Sequence, residues 1–355
     1  LFFSPNPDQI KKVDQENSSL NSEAPELEEN QKIIKITRQE SLNQSERVVF
    51  ENQNIKGSVV LKGGTIDDLV FKNYTETLKG ENKITLLNPK NYEDGYFVET
   101  GWVSSSKNID LPNSKTIWKV SGNKKLSPNN PVILNWENNQ GIKFQKKIQI
   151  DKKFLFTIDQ TIKNTSDNSY DFYPYSQIIR NKSPDVTNFY ILHEGLIGVF
   201  DDQLVEKDYP DIEEKNFSTN AKSGWLGITD KYWITTIIPQ KNREFRADFD
   251  FKNKFRANYI ETNPLELKPK GSISSNIRVI IAAKEVDIID SYAENENISK
   301  FDLAIDWGWF YFFTKNFFFA IDYFFKLTGN FGIAIILITV CIRILFFPLA
   351  NYSFR

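Results

Sequence analysis

In Phe154-Leu155-Phe156-Thr157-Ile158-Asp159-Gln160-Thr161-Ile162 the apolar side chains at 154, 156, 158 and 162 alternate with Thr157, Asp159 and Thr161. A period of two belongs to a half-buried strand, whose successive side chains point to opposite faces. The same texture extends in both directions. Val59-Val60-Leu61 and Leu69-Val70-Phe71 flank Lys62-Gly63-Gly64-Thr65, which reads as a turn between strands. From about Arg47 to Ala283, strand-like runs recur between clusters of Asn, Gly, Asp and Pro. No comparably long segment there has a helical period. Trp118, Trp136, Trp225 and Trp233 are spread through the region and are expected to fill a wide core. The expected fold is mainly β, a large antiparallel sandwich rather than an α/β sheet, without internal repeats.

Composition narrows the function classes. The chain has 355 residues, 44 Lys plus Arg and 46 Asp plus Glu, for a net charge of −2. That balance argues against recognition of nucleic acid through a global positive field. Apolar residues make up 40% and charged residues 25%, which suits a folded chain rather than a polytopic membrane protein. The average hides an asymmetry, because nearly all the continuous apolar sequence follows Phe301. One cysteine, Cys341, excludes an intrachain disulfide and any CxxC site. One histidine, His193, excludes His-pair metal motifs. There is no methionine and residue 1 is Leu, so the chain reads as a fragment or processed product, cut at both ends.

The flanks differ from the middle. Leu1-Phe2-Phe3 is apolar and is broken by Ser4-Pro5-Asn6-Pro7. It reads either as the exit of a spanning helix or as a frayed terminus. Residues 8–30 are rich in Asn, Gln, Glu, Lys and Ser and hold no aromatics. Such a segment buries too little to offset its ordering entropy and is expected to be a tether. Ile33, Ile34 and Ile36 suggest a first short strand.

After Ala283 the pattern changes. Residues 285–299 are charged and suggest a helix. Residues 301–326 are crowded with aromatics, among them Trp307, Trp309, Phe313, Phe317, Tyr323 and Phe325. On a helix, Lys315, Asp322 and Lys326 fall on one narrow polar stripe. Trp and Tyr favour the headgroup level of a bilayer, so a helix lying in the interface accounts for both facts. A second spanning helix or a hydrophobic dimer surface accounts for the aromatics alone. Gly329-Asn330 ends the segment.

The 19 residues 331–349 are almost all apolar. At about 1.5 Å each they reach about 28 Å, close to the ~30 Å hydrocarbon thickness, and read as a transmembrane helix. Their place near the C-terminus excludes a signal peptide. Arg343 interrupts this span. At a helix centre an arginine costs roughly 2.5–3.5 kcal/mol on insertion scales. Arg343 is off centre. One reading is that it snorkels to the nearer surface. The other is that it faces a water-containing cavity in a helix bundle, where it stays a permanent cation and can hold a polar segment of a client. Pro348, near the helix end, lacks only its bond to Ile344 and kinks or stops the helix there.

The residues of Phe301-Asp302-Leu303-Ala304-Ile305-Asp306-Trp307-Gly308-Trp309-Phe310 resemble the start of the membrane core in YidC-type membrane protein insertases, the YidC/Oxa/Albino family. Gly329-Asn330-Phe331-Gly332-Ile333-Ala334-Ile335, then Arg343 and Phe346-Phe347-Pro348-Leu349, are similar to it too. Upstream, residues 190–199, Gly224-Trp225-Leu226-Gly227 with Tyr232-Trp233, and Ala282-Ala283-Lys284-Glu285-Val286 resemble the large periplasmic domain of Gram-negative members. The wording is nearest to alphaproteobacterial versions, and the likeness runs from about Arg47 to Arg355.

The resemblance implies a layout. Residues 1–3 would end a first transmembrane helix, and 4–44 form a flexible periplasmic tether. Residues 45–284 form a periplasmic β-supersandwich of mutarotase-like type, and 285–300 a connecting helix. Residues 301–328 form the interfacial aromatic helix with Trp307, Trp309, Lys315, Asp322 and Lys326. Residues 331–349 span the inner membrane, and 350–355 begin the cytoplasmic part. It implies an insertase and chaperone that works alone or with the Sec translocon, through a hydrophilic groove in which Arg343 matches the family's basic residue. The implied partners are nascent membrane proteins, the Sec translocon, membrane lipids and, through parts beyond these residues, the ribosome. No cofactor, metal or nucleic acid is implied, and the function is not enzymatic.

Two other functions compete with this one. A periplasmic sugar-binding or mutarotase-like activity needs a positioned acid and base. Mutarotases use two histidines and a glutamate, whereas only His193 stands here, beside Glu194, and a lone histidine next to Leu192 and Leu196 reads as structural. Alternatively the β domain is a docking module for an extended polymer or peptide, a cleft the sequence does not locate.

Overall fold

The computed structural model describes residues 36–184, 192–308 and 310–353. The leading apolar triplet, most of the tether and Trp309 lie outside the described residues, as do Ile33 and Ile34. Ile36 is described and is not in a strand.

The alternation from Phe154 to Ile162 is realised in the strand Leu155–Asn164, where Phe156, Ile158 and Ile162 are buried. It pairs antiparallel with Ile142–Ile150 on one side and Ser272–Ala283 on the other. Around these three grows a 9-stranded sheet. An 11-stranded sheet faces it, centred on Tyr96–Ser104, Tyr170–Arg180 and Phe255–Glu261. The Lys62–Thr65 stretch turns between the strands Ile55–Val60 and Thr65–Thr75 as expected. Among the described residues, strand pairing is antiparallel except where Arg47–Glu51 meets Lys125–Leu126.

Aromatic side chains knit the sheets together. Phe50 of one sheet meets Phe156 of the other edge-on at 5.2 Å between ring centres, and Phe71 meets Phe154 at 5.8 Å. Trp118 and Trp225 are buried, and Trp136 and Trp233 pack against the core from its margin.

The end of the expected tether belongs to the sandwich instead. Residues 38–42 form a short helix, α1 (Arg38–Leu42), started by a Thr37/Glu40 capping box. Arg38 anchors it by an ion pair to Asp68 and a 2.7 Å bond to Asn88. These partners lie far off in sequence, so local composition gave no sign of them.

A second short helix, α2 (Tyr209–Glu214), inserts buried Tyr209 and Ile212. The connecting helix is α3 (Val286–Asn295), which buries Val286, Ile289 and Tyr292. The Tyr292 hydroxyl donates to Asp151 Oδ2 at 2.7 Å and accepts the Phe154 N–H at 2.8 Å.

The expected helix over 301–328 begins ten residues later. Phe301–Ala304 is a separate 3-10 turn, because Phe301 is buried against Trp225 with ring centres 5.3 Å apart. The aromatic helix proper is α4 (Tyr311–Thr328), and the last is α5 (Phe331–Ser353). The helix continues past residue 349, through Pro348, whose missing N–H is tolerated so near the end.

Candidate functional site

The candidate site is built from α4, α5 and the turn that carries the sandwich into them. Gly329 ends α4 in a left-handed conformation, φ 66°, and its N–H donates to the Phe325 carbonyl at 2.8 Å. Only glycine adopts that geometry without strain. Asn330 then caps α5, its Oδ1 accepting the N–H groups of Gly332 at 2.9 Å and Ile333 at 3.2 Å. Two residues therefore both stop one helix and start the next.

The 23 residues of α5 reach about 34 Å at ~1.5 Å each. Phe331–Pro348 has a mean hydropathy of 2.5, and among the described residues it is the one helix long and apolar enough to cross a membrane. Phe313, Tyr323 and Leu327 on α4 and Ile336, Ile344 and Phe347 on α5 are exposed. An apolar surface of that extent marks contact with lipid or with other protein.

Arg343 is exposed, and among the described residues it makes no hydrogen bond or ion pair. Ala334, fully buried, marks the side of α5 turned to α4. Nine residues at about 100° each place Arg343 half a turn round from it. The cation is thus presented on the face opposite α4.

Of the polar stripe on α4, Lys315 meets the end of the sandwich. Lys315 Nζ lies 3.1 Å from Asp302 Oδ2 and 3.4 Å from Asp290 Oδ1 on α3. Lys326 pairs with Asp322 at 2.7 Å. Trp307 precedes α4 and is 8% exposed. Its indole N–H donates to the Asp302 carbonyl at 3.3 Å, its ring meets Phe318 edge-on at 5.6 Å, and Lys315 Nζ lies 5.8 Å from its centre. The sequence pattern gives neither Asp290 nor Asp302 a role as partner of Lys315. They lie 25 and 13 residues from Lys315, a spacing that carries no helical signal.

His193 is held on both ring nitrogens, by Asp208 Oδ1 at 2.8 Å and the Leu196 carbonyl at 3.1 Å. Neither nitrogen is left to serve a substrate as acid or base. Glu194 Oε1 accepts the Lys231 N–H at 2.9 Å. Among the described residues no group of three or more His, Cys, Asp or Glu side chains could hold a metal ion.

Residues 47–320 match the family model of the YidC periplasmic domain. The chain is 54% identical to a membrane protein insertase YidC of Pelagibacter ubique, over 100% of this chain and 64% of that protein. It is 39% identical to the Mesorhizobium japonicum protein of the same name, over 89% of this chain and 54% of that one. The chain therefore spans somewhat over half the length of these relatives. A galactose mutarotase related enzyme from Lactobacillus acidophilus superposes with a TM-score of 0.47 at 11% identity, over 67% of this chain and 97% of its own.

Proposed function

Because the chain belongs to the YidC family of membrane protein insertases, we propose that it is the periplasmic and first membrane-proximal part of an insertase and chaperone for integral membrane proteins. In this reading the sandwich lies in the periplasm of an inner-membrane, multi-pass protein. The helix α4 lies in the outer interface, and α5 crosses to the cytoplasm. The observation that carries the proposal is Arg343, an exposed cation thirteen residues into an apolar helix and turned away from its packed neighbour.

The chemistry follows from burial costs. A polar stretch of a client entering lipid loses its water, and an unpaired polar group there costs several kcal/mol, on the order of 2–7 each. A guanidinium keeps its charge under desolvation and offers five N–H donors in a fixed fork. Set beside a hydrophilic hollow, it replaces water for carboxylates and carbonyls of the client while the client's apolar segment slides into lipid. The Sec translocon would supply some clients and the ribosome others. No bound cofactor is needed, since no covalent bond changes. The sugar-acting alternative gains little support from the site, because both ring nitrogens of the one histidine, His193, are bonded within the protein.

The test is growth of insertase-depleted cells rescued by the full-length gene. Arg343→Ala is expected to weaken rescue and Arg343→Glu to abolish it, since a carboxylate repels the acidic part of a client. Unimpaired rescue by both variants removes Arg343 from the mechanism.

A further inference from the structure

Among the described residues six large apolar side chains are exposed on the sandwich, and three of them gather at one end. Leu78 is 106% exposed, Tyr232 59% and Leu192 39%, each on a different loop. A single exposed apolar residue is ordinary on a protein surface, whereas a group at one end marks a contact.

The end they share is the one that α3 covers. The Tyr74 hydroxyl, on the last turn-ward residues of the strand Thr65–Thr75, donates to Glu285 Oε1 at the start of α3. Tyr292, on the last turn of α3, reaches Asp151 just after the strand Ile142–Ile150 of the other sheet. Leu78 tips a hairpin that overshoots this end. The strand Thr65–Thr75 pairs with Ile55–Val60 only as far as Phe71 and runs on four residues, about 13 Å at ~3.3 Å each. The Gly80 N–H then donates to the Thr77 carbonyl at 3.1 Å, which puts Leu78 in the turn. Tyr232 stands by the base of this hairpin. The Trp233 ring centre is 5.1 Å from that of Tyr74 and 6.4 Å from that of Tyr232, and the Tyr232 carbonyl accepts the Lys284 N–H at 2.9 Å. The bond from the Lys231 N–H to Glu194 Oε1 joins the Tyr232 loop to the Leu192 loop. The backbone N–H of His193 joins the latter to the crossing into α4, donating to Asp306 Oδ2 at 3.1 Å.

The membrane-proximal helices lie on the same side. Near its start α4 is held by Lys315 to Asp302 and to Asp290 of α3. Near its close Lys326 is held above the usual lysine range by Asp322 and, further off, by Asp287 in the first turn of α3. The corner at Gly329-Asn330, where α5 begins, therefore stands toward the end of the sandwich that carries the three loops.

We propose that Leu78, Leu192 and Tyr232 are a bilayer contact of the sandwich: the three side chains enter the outer headgroup layer beside α4 and hold the β domain at a fixed tilt. The inference rests on the reading of α5 as a span and α4 as an interfacial helix. Tyrosine suits the headgroup level, its ring toward acyl chains and its hydroxyl toward water, and leucine adds apolar area. Charge contributes little. On the hairpin Glu76 and Glu81 are matched by Lys79 and Lys83, and beside Tyr232 the carboxylate of Asp230 pairs with Arg180 at 2.6 Å. The contact is apolar, so its strength does not follow the charge of the lipid.

The experiment uses the full-length protein in nanodiscs of zwitterionic lipid, with its native cysteines, Cys341 included, replaced by alanine. A nitroxide is placed on one new cysteine at a time: Leu78→Cys, Leu192→Cys, Tyr232→Cys, Ile117→Cys or Tyr323→Cys. Ile117 is exposed and bridges Lys62 at the opposite end of the strand Thr65–Thr75, and Tyr323 is exposed on α4. Collisions with oxygen, which concentrates in lipid, are compared with collisions with a neutral, water-soluble nickel chelate. Positions 78, 192 and 232 are expected to share the several-fold oxygen preference of position 323, with position 117 preferring nickel. Adding anionic lipid is expected to change none of this. A nickel preference at any of the three loops, with 323 still preferring oxygen, overturns the contact and leaves the interfacial α4 standing. A nickel preference at 323 overturns the interfacial helix and the proposal with it. Protection of the loops from both reagents means a cover of protein rather than lipid, and an oxygen preference that needs anionic lipid means a contact through charge; either result overturns the proposal.

Discussion

Lys315 Nζ on α4 lies 3.1 Å from Asp302 Oδ2 in the 3-10 turn that closes the sandwich. With Asp290 on α3 at 3.4 Å, it clamps the aromatic helix to the β domain from a half-buried site, the side chains of Lys315, Asp302 and Asp290 being 20%, 22% and 30% exposed. Lys315→Ala removes the cation between two carboxylates and is expected to cost about 1.5–3 kcal/mol of local coupling. Amide exchange in α4 should then speed up roughly tenfold to a hundredfold, while exchange in the strands stays unchanged. Lys315→Arg should restore most of the protection. Equal exchange in wild type and Lys315→Ala would show that the clamp bears no load.

Tyr292 seats α3 on the sandwich by donating to Asp151 and accepting the Phe154 N–H. Tyr292→Phe keeps the ring and leaves a buried backbone donor without its acceptor. The expected loss is about 1–3 kcal/mol, read as a lower urea midpoint with an unchanged slope. A change in slope instead would point to a less compact folded state.

What was legible in the sequence was local. The alternation from Phe154 to Ile162 and the turn at residues 62–65 each depend on a few neighbours, and both are as read. The aromatic helix was placed ten residues early because Phe301 is an aromatic like those that follow. What separates it is burial against Trp225, 76 residues upstream, a contact no periodicity encodes. The end of the tether was misplaced for the same reason, since Asp68 and Asn88 hold Arg38 from other strands. Arg343 stood out because a charge in an apolar run is locally anomalous. Its orientation became definable only once Ala334 marked the side of α5 that meets α4.

Lys146 is a buried cation inside the sandwich, its Nζ donating to the carbonyls of Thr100 and Gly64 and lying 5.0 Å from the centre of the Trp118 ring. Burial pushes it down to about 8, with Glu99 opposing. An unfolded lysine titrates near about 10.4, so between these values the unfolded chain binds more protons and stability rises with pH. The rise is at most roughly 1.4 kcal/mol per pH unit. Subtracting the unfolding curve of Lys146→Met from that of wild type should isolate it between about pH 8 and pH 10. A difference that is flat there would mean that Lys146 keeps its proton in the fold as firmly as in water.

The two readings of Arg343 differ in what governs its access to water, depth or face. Leu345 lies two residues further along, about 3 Å nearer the end of α5 and some 200° round the helix. It is 74% exposed, on the side that Ala334 marks lower down. If snorkelling alone brings the guanidinium to water, depth decides, and a cysteine at 345 should react with a membrane-impermeant maleimide at least as fast as one at 343. If a hydrophilic hollow lies beside the cation, face decides, and the cysteine at 343 should react much faster. We expect the second result in the full-length protein carrying Cys341→Ala. A cysteine at Ile336, seven residues before Arg343 and nearly in line with it, separates the cases further. It should share the reactivity of 343 as far as the hollow extends, and be silent where lipid begins. Equal labelling at 343 and 345 would leave Arg343 as a surface anchor and remove the groove from the mechanism.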